Sequence, residues 1–364
     1  MQTRFKGGDM MGQFSCPTKI MTGDARTLLA QLGVKKLLLV ADPFFKDGLA
    51  LQLGAASGAG AEYFFEVEPD PTVALAAKGA ALVKSFQPDA VVALGGGSAM
   101  DLAKSMTWFA GSDATLIAIP TTSGSGSEVT DFAILTHDGI KHPLVDEKLR
   151  PKVAILDAAL VEKLPKSLIA DGGFDALTHA LEAYTATGAD AFTDALANDA
   201  FSRVLGSLKA SFEGDLNARS EVHACATMSG LAFTQAGLGL CHALAHALGG
   251  ALHLPHGRLN AILLPAVMEV NEPVCGSRYA QLARKAGLEG RSDAVALRNL
   301  KNALLRLRRE LGLPATLAEA GAPLPADRDA LIAAALADPC CKTNPVPVTA
   351  DAVRSVLRRV SGHG

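Results

Sequence analysis

The period of the apolar positions changes near residue 165. Upstream of it, short apolar runs alternate with longer stretches of helical periodicity. KKLLLVAD (35–42) has the pattern of a buried parallel strand that ends in an acid. Helical periodicity follows over 49–54, and AEYFFEVEP (61–69) reads as the next strand. TVALAAKGAALVKSF (72–86), bracketed by Pro71 and Pro88, reads as a helix. AVVALGGGS (90–98) is a strand running into glycines, AMDLAKSMTWFA (99–110) a helix and TLIAIP (115–120) a further strand. This alternation predicts an α/β domain with a parallel sheet covered by helices on both faces.

Beyond Pro165 nearly every segment carries the helical period, and strand-like runs are scarce. LNAILLPAVMEVN and YAQLARKAG read as two separate helices, and ALRNLKNALLRLRREL as another. The expectation is an all-α second domain, with residues 1–160 forming the first unit and 161–364 the second. No tandem repeat or low-complexity linker separates them, so the two halves are expected to pack closely around a cleft.

The helical half holds the most specific chemistry. FDALTHALEAY (174–184) places Asp175 and His179 four residues apart, on one helix face. CHALAHALGGALHLPHG (241–257) repeats that step with His242 and His246, and His256 follows after Gly-Gly and Pro. One carboxylate with several imidazoles suits a divalent first-row metal such as Fe(II) or Zn(II). The alternative for HALAHAL is a pair of core histidines on an Ala/Leu face. Two segments that each carry a potential ligand pair argue against it, because burying so many unpartnered imidazoles is costly. Cys241 points about 100° away from its neighbour His242 on a helix and is expected to pack. His253 is expected to be a solvated loop residue.

The sheet half adds a ligand-binding signature. In LGGGSAMDLAK (94–104) glycines join a strand to a helix, so the backbone can approach an anion closely. A dinucleotide pyrophosphate fits that description, although Gly-Gly-Gly-Ser is not the G-x-G-x-x-G fingerprint and a ligand-free turn is the alternative. IPTTSGSGSEVTD (119–131) is a second polar loop at a strand's carboxyl end, where such sheets bind ligands. Asp42 ends the first strong strand; there an acid accepts from a ribose and repels a 2′-phosphate, which favours NAD over NADP. An ordinary turn with Pro43 competes with that reading.

Composition narrows the partners. The chain has 364 residues, is 49% apolar and 20% charged, and carries a net charge of −3, so it presents no electrostatic footprint for nucleic acid. No run of 18 or more apolar residues suggests a membrane span. The N-terminal MQTRFKGGDMMGQF shows no apolar stretch of signal-peptide length. The six cysteines form no CxxC pair, and a reduced cytoplasmic protein is the simplest account.

Taken together, GGGSAMDLAK, IPTTSGSGSEVT, DALTHALEAY and LCHALAHALGGALHLPHGRLNAILLP resemble the iron-containing (group III) alcohol dehydrogenase family over nearly the whole chain. FSCPTKIMTGDA (14–25) looks like that family's N-terminal strand and CCKTNPVPVT (340–349) like its C-terminal tail. The resemblance implies an α/β dinucleotide-binding domain followed by an all-α metal-binding domain. It implies one divalent metal on Asp175, His179, His242 and His256, with His246 lining the site as a candidate proton relay. It implies nucleotide contacts at Asp42, Gly96, Gly97, Ser98, Thr121 and Thr122, and less directly at Ser125 and Lys141. The implied reaction is hydride transfer between NAD(H) and a small alcohol or aldehyde, in a homodimer or higher homo-oligomer. Polyol oxidation of the glycerol dehydrogenase type and dehydroquinate-synthase-like cyclisation are the alternatives. The cyclisation needs several basic residues to hold a phosphorylated acid, and no such cluster stands beside the metal motifs of the helical half. A sensor that keeps the fold without the reaction is a third.

Overall fold

The computed structural model describes residues 14–362. Most of the N-terminal stretch read above for a signal peptide, residues 1–13, lies outside them. The first half runs β1 (Lys19–Thr22), α1 (Ala25–Ala30), β2 (Lys36–Ala41), α2 (Leu49–Ser57), β3 (Gly60–Phe64), α3 (Val73–Phe86), β4 (Ala90–Gly95), α4 (Gly97–Ala110) and β5 (Thr115–Pro120). A hairpin of β6 (Phe132–His137) and β7 (Ile140–Val145) follows, then β8 (Val153–Leu156). Six strands form one parallel sheet in the order β1-β8-β5-β4-β2-β3, and β6 and β7 pair antiparallel apart from it.

Strand periodicity fills both faces. Leu38, Val40, Val91 and Ala93 pack with Ala76 and Val83 of α3 and with Ala99 and Leu102 of α4. Leu37, Leu39, Val92 and Leu94 turn to the other face, against Leu29 of α1 and Leu53 of α2. Neighbouring residues on one strand therefore serve opposite layers, which is why the central strands read as unbroken apolar runs.

The second half is helical: α5 (Lys166–Thr185), α6 (Ala191–Glu213), α7 (Leu216–Ala236), α8 (Leu240–Leu252), α9 (His256–Lys285), α10 (Asp293–Glu310), α11 (Arg328–Ala337) and α12 (Ala350–Val360). These helices share one apolar core that includes Phe174, Phe201, Leu263 and Leu304. No single described helix is long and apolar enough to cross a membrane.

Three local expectations are corrected. The strand expected over 61–69 ends at Phe64, where the chain turns toward Pro71. The helix expected from residue 99 begins at Gly97, so two of the glycine-turn residues and Ser98 belong to its first turn or its cap. The two helices expected around LNAILLPAVMEVN and YAQLARKAG are one, α9, with Pro265 and Pro273 inside it. Pro265 frees the carbonyl of Ala261, and Arg308 Nη1 donates to that oxygen at 3.3 Å. Pro273 frees the carbonyl of Glu269, an exposed residue whose backbone water can satisfy.

Candidate active site

Register aligns the carboxyl ends of three central strands. Ala41 of β2 pairs with Leu94 of β4, and Gly95 pairs with Pro120 of β5. The residues that leave these three carboxyl ends, Asp42, Gly96 and Thr121, therefore emerge side by side. Thr121 N donates to Gly95 O at 2.9 Å. Gly95 has φ +153°, and a Cβ there would meet Ala99 Cβ at 2.6 Å. Only glycine lets the chain enter α4 at this angle. Gly96 caps α4 without a side-chain acceptor, so the first-turn amides of Gly97 and Ser98 have no partner within the helix. Thr122 Oγ1 and Ser125 lie next to Gly96 and Gly97. Asp42 lies beside Gly95, with Oδ1 accepting from Phe44 N at 2.9 Å. Lys141 projects from the hairpin, pairs with Asp70 at 2.7 Å and lies close to Gly249 of α8.

The loop from Thr121 to Asp131 also reaches the helical half. Gly124 rests on Gly172 of α5, where a Cβ on Gly124 would meet Gly172 Cα at 2.9 Å. That contact brings Gly124 O to within 3.2 Å of His179 Nδ1. From the other side, buried Lys104 of α4 donates to Ser127 Oγ, Thr130 O, Thr130 Oγ1 and Phe132 O at 2.9–3.1 Å. Burial lowers the Lys104 ammonium to about 8.

The four residues singled out in the helical half converge. Asp175 Oδ1 lies 3.9 Å from His179 Nε2, 3.6 Å from His242 Nε2 and 3.5 Å from His256 Nε2. Donor atoms of Asp175, His242 and His256 lie within 4.8 Å of one another. Asp175 and His179 share one face of α5; His242 sits in the first turn of α8, and His256 opens α9. Phe233 stacks on His179 at 4.3 Å and forms an apolar wall.

Outer partners fix the rings. His242 Nδ1 lies 2.7 Å from Glu182 Oε2, and His179 Nδ1 faces Gly124 O. With a proton held on each Nδ1, Nε2 of both rings faces Asp175 (tautomers assigned from these partners), the orientation from which a lone pair reaches a cation once Nε2 is unprotonated. Burial lowers the His179 imidazole to about 4 and takes His256 well below its ordinary value, so both rings are neutral near pH 7. Burial alone would also lower His242; its bonds to Asp175 and Glu182 override that and carry it up to about 9. Burial alone would raise the Asp175 carboxyl; His179 and His256, cationic in the acid range where a carboxyl titrates, override it and hold it well below the carboxylate range. The donor set therefore fits a divalent cation, with one proton on His242 to be displaced on uptake.

His246 lies one turn beyond His242, and its ring stacks on His256 at 5.2 Å. Its Nδ1 is 2.8 Å from Asp338 Oδ2. Cys241 is buried against Asn260 and His253 is exposed at the end of α8, both as expected. Three partners escaped the reading of the sequence. Glu182 follows His179 by three residues and shares its helix face, so that spacing was a usable signal. Asn260 follows His256 by four and donates Nδ2 to Asp175 Oδ1 at 2.8 Å. Asp338 gave no local signal; only the fold brings it to His246.

Two family models match the chain: "Iron-containing alcohol dehydrogenase" over residues 17–158 and "Fe-containing alcohol dehydrogenase family, C-terminal" over residues 169–361. The chain is 39% identical over 371 residues to a 1-propanol dehydrogenase of Salmonella typhimurium, covering 96% of this chain and 100% of that one. It is 37% identical to an NADPH-dependent butanol dehydrogenase of Clostridium saccharobutylicum, covering 81% and 82%. The structure of an iron-containing alcohol dehydrogenase from Thermococcus thioreducens superposes with a TM-score of 0.87 at 31% identity, covering 96% and 100%. The chain belongs to the iron-containing alcohol dehydrogenase family, and it is an oxidoreductase that interconverts alcohols and aldehydes.

Proposed function

We propose that this enzyme oxidises a small primary alcohol, or reduces the aldehyde, with NAD(H) as its preferred cofactor and one divalent cation, Fe(II) or Zn(II), held by Asp175, His179, His242 and His256. The observation that carries the reading is the approach of three imidazole nitrogens to one carboxylate oxygen. When bound, the cation supplies Lewis-acid polarisation of the substrate oxygen, and the nicotinamide supplies the hydride acceptor or donor.

The chain's own residues do the rest. The free amides of Gly97 and Ser98 bind the pyrophosphate at the positive end of α4. Thr121, Thr122, Ser125 and Lys141 hold the remainder of the nucleotide on the cleft wall. Asp42 accepts from the adenosine ribose, and its charge opposes a 2′-phosphate. One relative is named NADPH-dependent, so family membership alone does not set the choice. Asp338 holds His246 Nδ1, leaving Nε2 to take the alcohol proton and pass it to solvent at this partly exposed ring. Phe233 excludes water from the His179 side.

The relatives' names favour a C3–C4 alcohol. The sheet unit spans residues 1–160 and the helical unit 161–364, and the active form is a cytoplasmic homodimer or higher homo-oligomer. Free cysteines throughout the described residues agree with a reducing compartment. His256→Ala should abolish metal content and turnover while NADH binding persists; full metal and full turnover in that variant would overturn the ligand set. Asp42→Gly should shift the NADH/NADPH preference toward NADPH, and an unchanged ratio removes Asp42 as selector. Light scattering at working concentration checks the assembly.

A further inference from the structure

A second group of metal-binding side chains stands beside the first. His246, Asp338 and Cys340 each offer a donor atom within 4.8 Å of the others. We propose that these three form a separate site for a thiophilic divalent cation of the Zn(II) type, and that filling it withdraws His246 from proton transfer.

The turn after α11 builds the site. Asp338 ends α11 and caps the short 3-10 turn Pro339–Thr343, with Oδ1 accepting from Cys340 N at 2.8 Å. That bond locks the carboxylate and the Cys340 backbone together, and Oδ2 is left facing His246 Nδ1 at 2.8 Å. Two metal bonds of about 2.0–2.1 Å at a tetrahedral angle separate their donors by roughly 3.3 Å. The ring and the carboxylate therefore need to part by only about 0.5 Å to admit the ion between them. A partly exposed His246 gives the ion a way in from the cleft.

Charge and softness separate the two sites. The first offers one carboxylate and three neutral rings. The second offers a carboxylate, a thiolate and a ring, which together neutralise a dication, so it tolerates a neighbouring cation better than another neutral donor set would. Sulfur favours Zn(II) over the harder ions. Burial, then Asp338, holds the Cys340 thiol protonated in the free protein, so uptake releases a proton from Cys340 to solvent. The cation takes His246 Nδ1, so the ring's one proton moves to Nε2, which then has no lone pair to accept the alcohol proton. The loss of turnover rests on the relay proposed above; the binding does not.

Cobalt distinguishes the sites, because the first contains no sulfur. The cobalt-loaded enzyme, titrated past one equivalent, is expected to take up a second and to gain a sulfur-to-cobalt charge-transfer band. Cys340→Ser should lose the band and weaken the second equivalent at least about tenfold, while Cys341→Ser keeps both. Zn(II) added beyond the first equivalent should slow the parent enzyme and leave the rate of the Cys340→Ser variant unaltered. Absence of a second equivalent, or a sulfur band that follows Cys341 instead, overturns the site. A second equivalent with the sulfur band but undiminished turnover upholds the site and overturns the inhibition, and with it the relay role of His246.

Discussion

Glu182→Gln tests how far the proposed metal centre depends on a residue outside the proposed ligand set. The Glu182 carboxylate is buried and receives Gly239 N at 3.0 Å, Cys241 N at 2.7 Å and His242 Nδ1 at 2.7 Å. It thus caps the start of α8 and orients a ligand on that same helix. Glutamine keeps the shape but offers one acceptor where the carboxylate offered two. If its NH2 faces His242, the ring must accept at Nδ1 and carry its proton on Nε2, the nitrogen that faces Asp175. If the amide rotates, the NH2 faces the Cys241 N–H instead. Either way a charge-assisted bond worth about 1.5–3 kcal/mol is lost, and metal affinity should fall roughly 10–100-fold. Chelator competition gives the metal Kd, and thermal unfolding of the metal-free protein gives the structural share. Metal affinity within twofold of the parent, with unchanged turnover, refutes the reasoning.

Three further variants give four expected outcomes. Lys104→Met should destabilise the fold by about 1–3 kcal/mol, because the buried acceptors Ser127 Oγ, Thr130 O and Thr130 Oγ1 lose their donor; chemical denaturation measures it. Burial lowers Lys104 from 10.5 to about 8, so the folded state binds fewer protons than the unfolded one between those values. Its contribution is therefore present above pH 10.5 and lost as pH falls through 8. Parent stability relative to the Met variant should thus rise by about 3 kcal/mol across that window, and a flat difference counts against it. Gly95→Ala should raise the NADH Kd roughly tenfold through backbone strain while metal content is retained, as read by fluorescence titration and metal analysis; an unaltered Kd dismisses the close approach. Asp338→Asn should lower kcat about 10–100-fold with KM little changed, and steady-state kinetics with undiminished kcat would show that His246 needs no orienting partner.

The parallel sheet was legible because β2, β4 and β5 are buried on both faces and so read as apolar runs. The convergence of Asp175 with His179 was legible because a four-residue step fixes a helix face whatever surrounds it. The hairpin and β8 were not. β8 is only four residues long, and β7 carries a lysine, a histidine and a proline. Asp138-Gly139, both with positive φ, was the turn signal available for the hairpin. The continuity of α9 could not be read locally either, since Arg308, which satisfies the carbonyl freed by Pro265, lies on another helix. The same holds for Asp338, distant in sequence from His246. Local pattern shows which groups share a face, and long-range packing decides what meets them.

The stretch from Thr121 to Asp131 has a consequence for engineering. It is encoded with the sheet, yet its backbone lies on Gly172 of α5 and Gly230 of α7, and one of its carbonyls holds His179. A chimera that joins the sheet of one relative to the helices of another at residue 160 would part this segment from its seat. Any side chain at position 172 or 230 would lift the Gly124 oxygen away from the imidazole. Successful grafts should therefore transfer those two glycines together with the segment, and recombination libraries should yield active hybrids only where the three travel as a set.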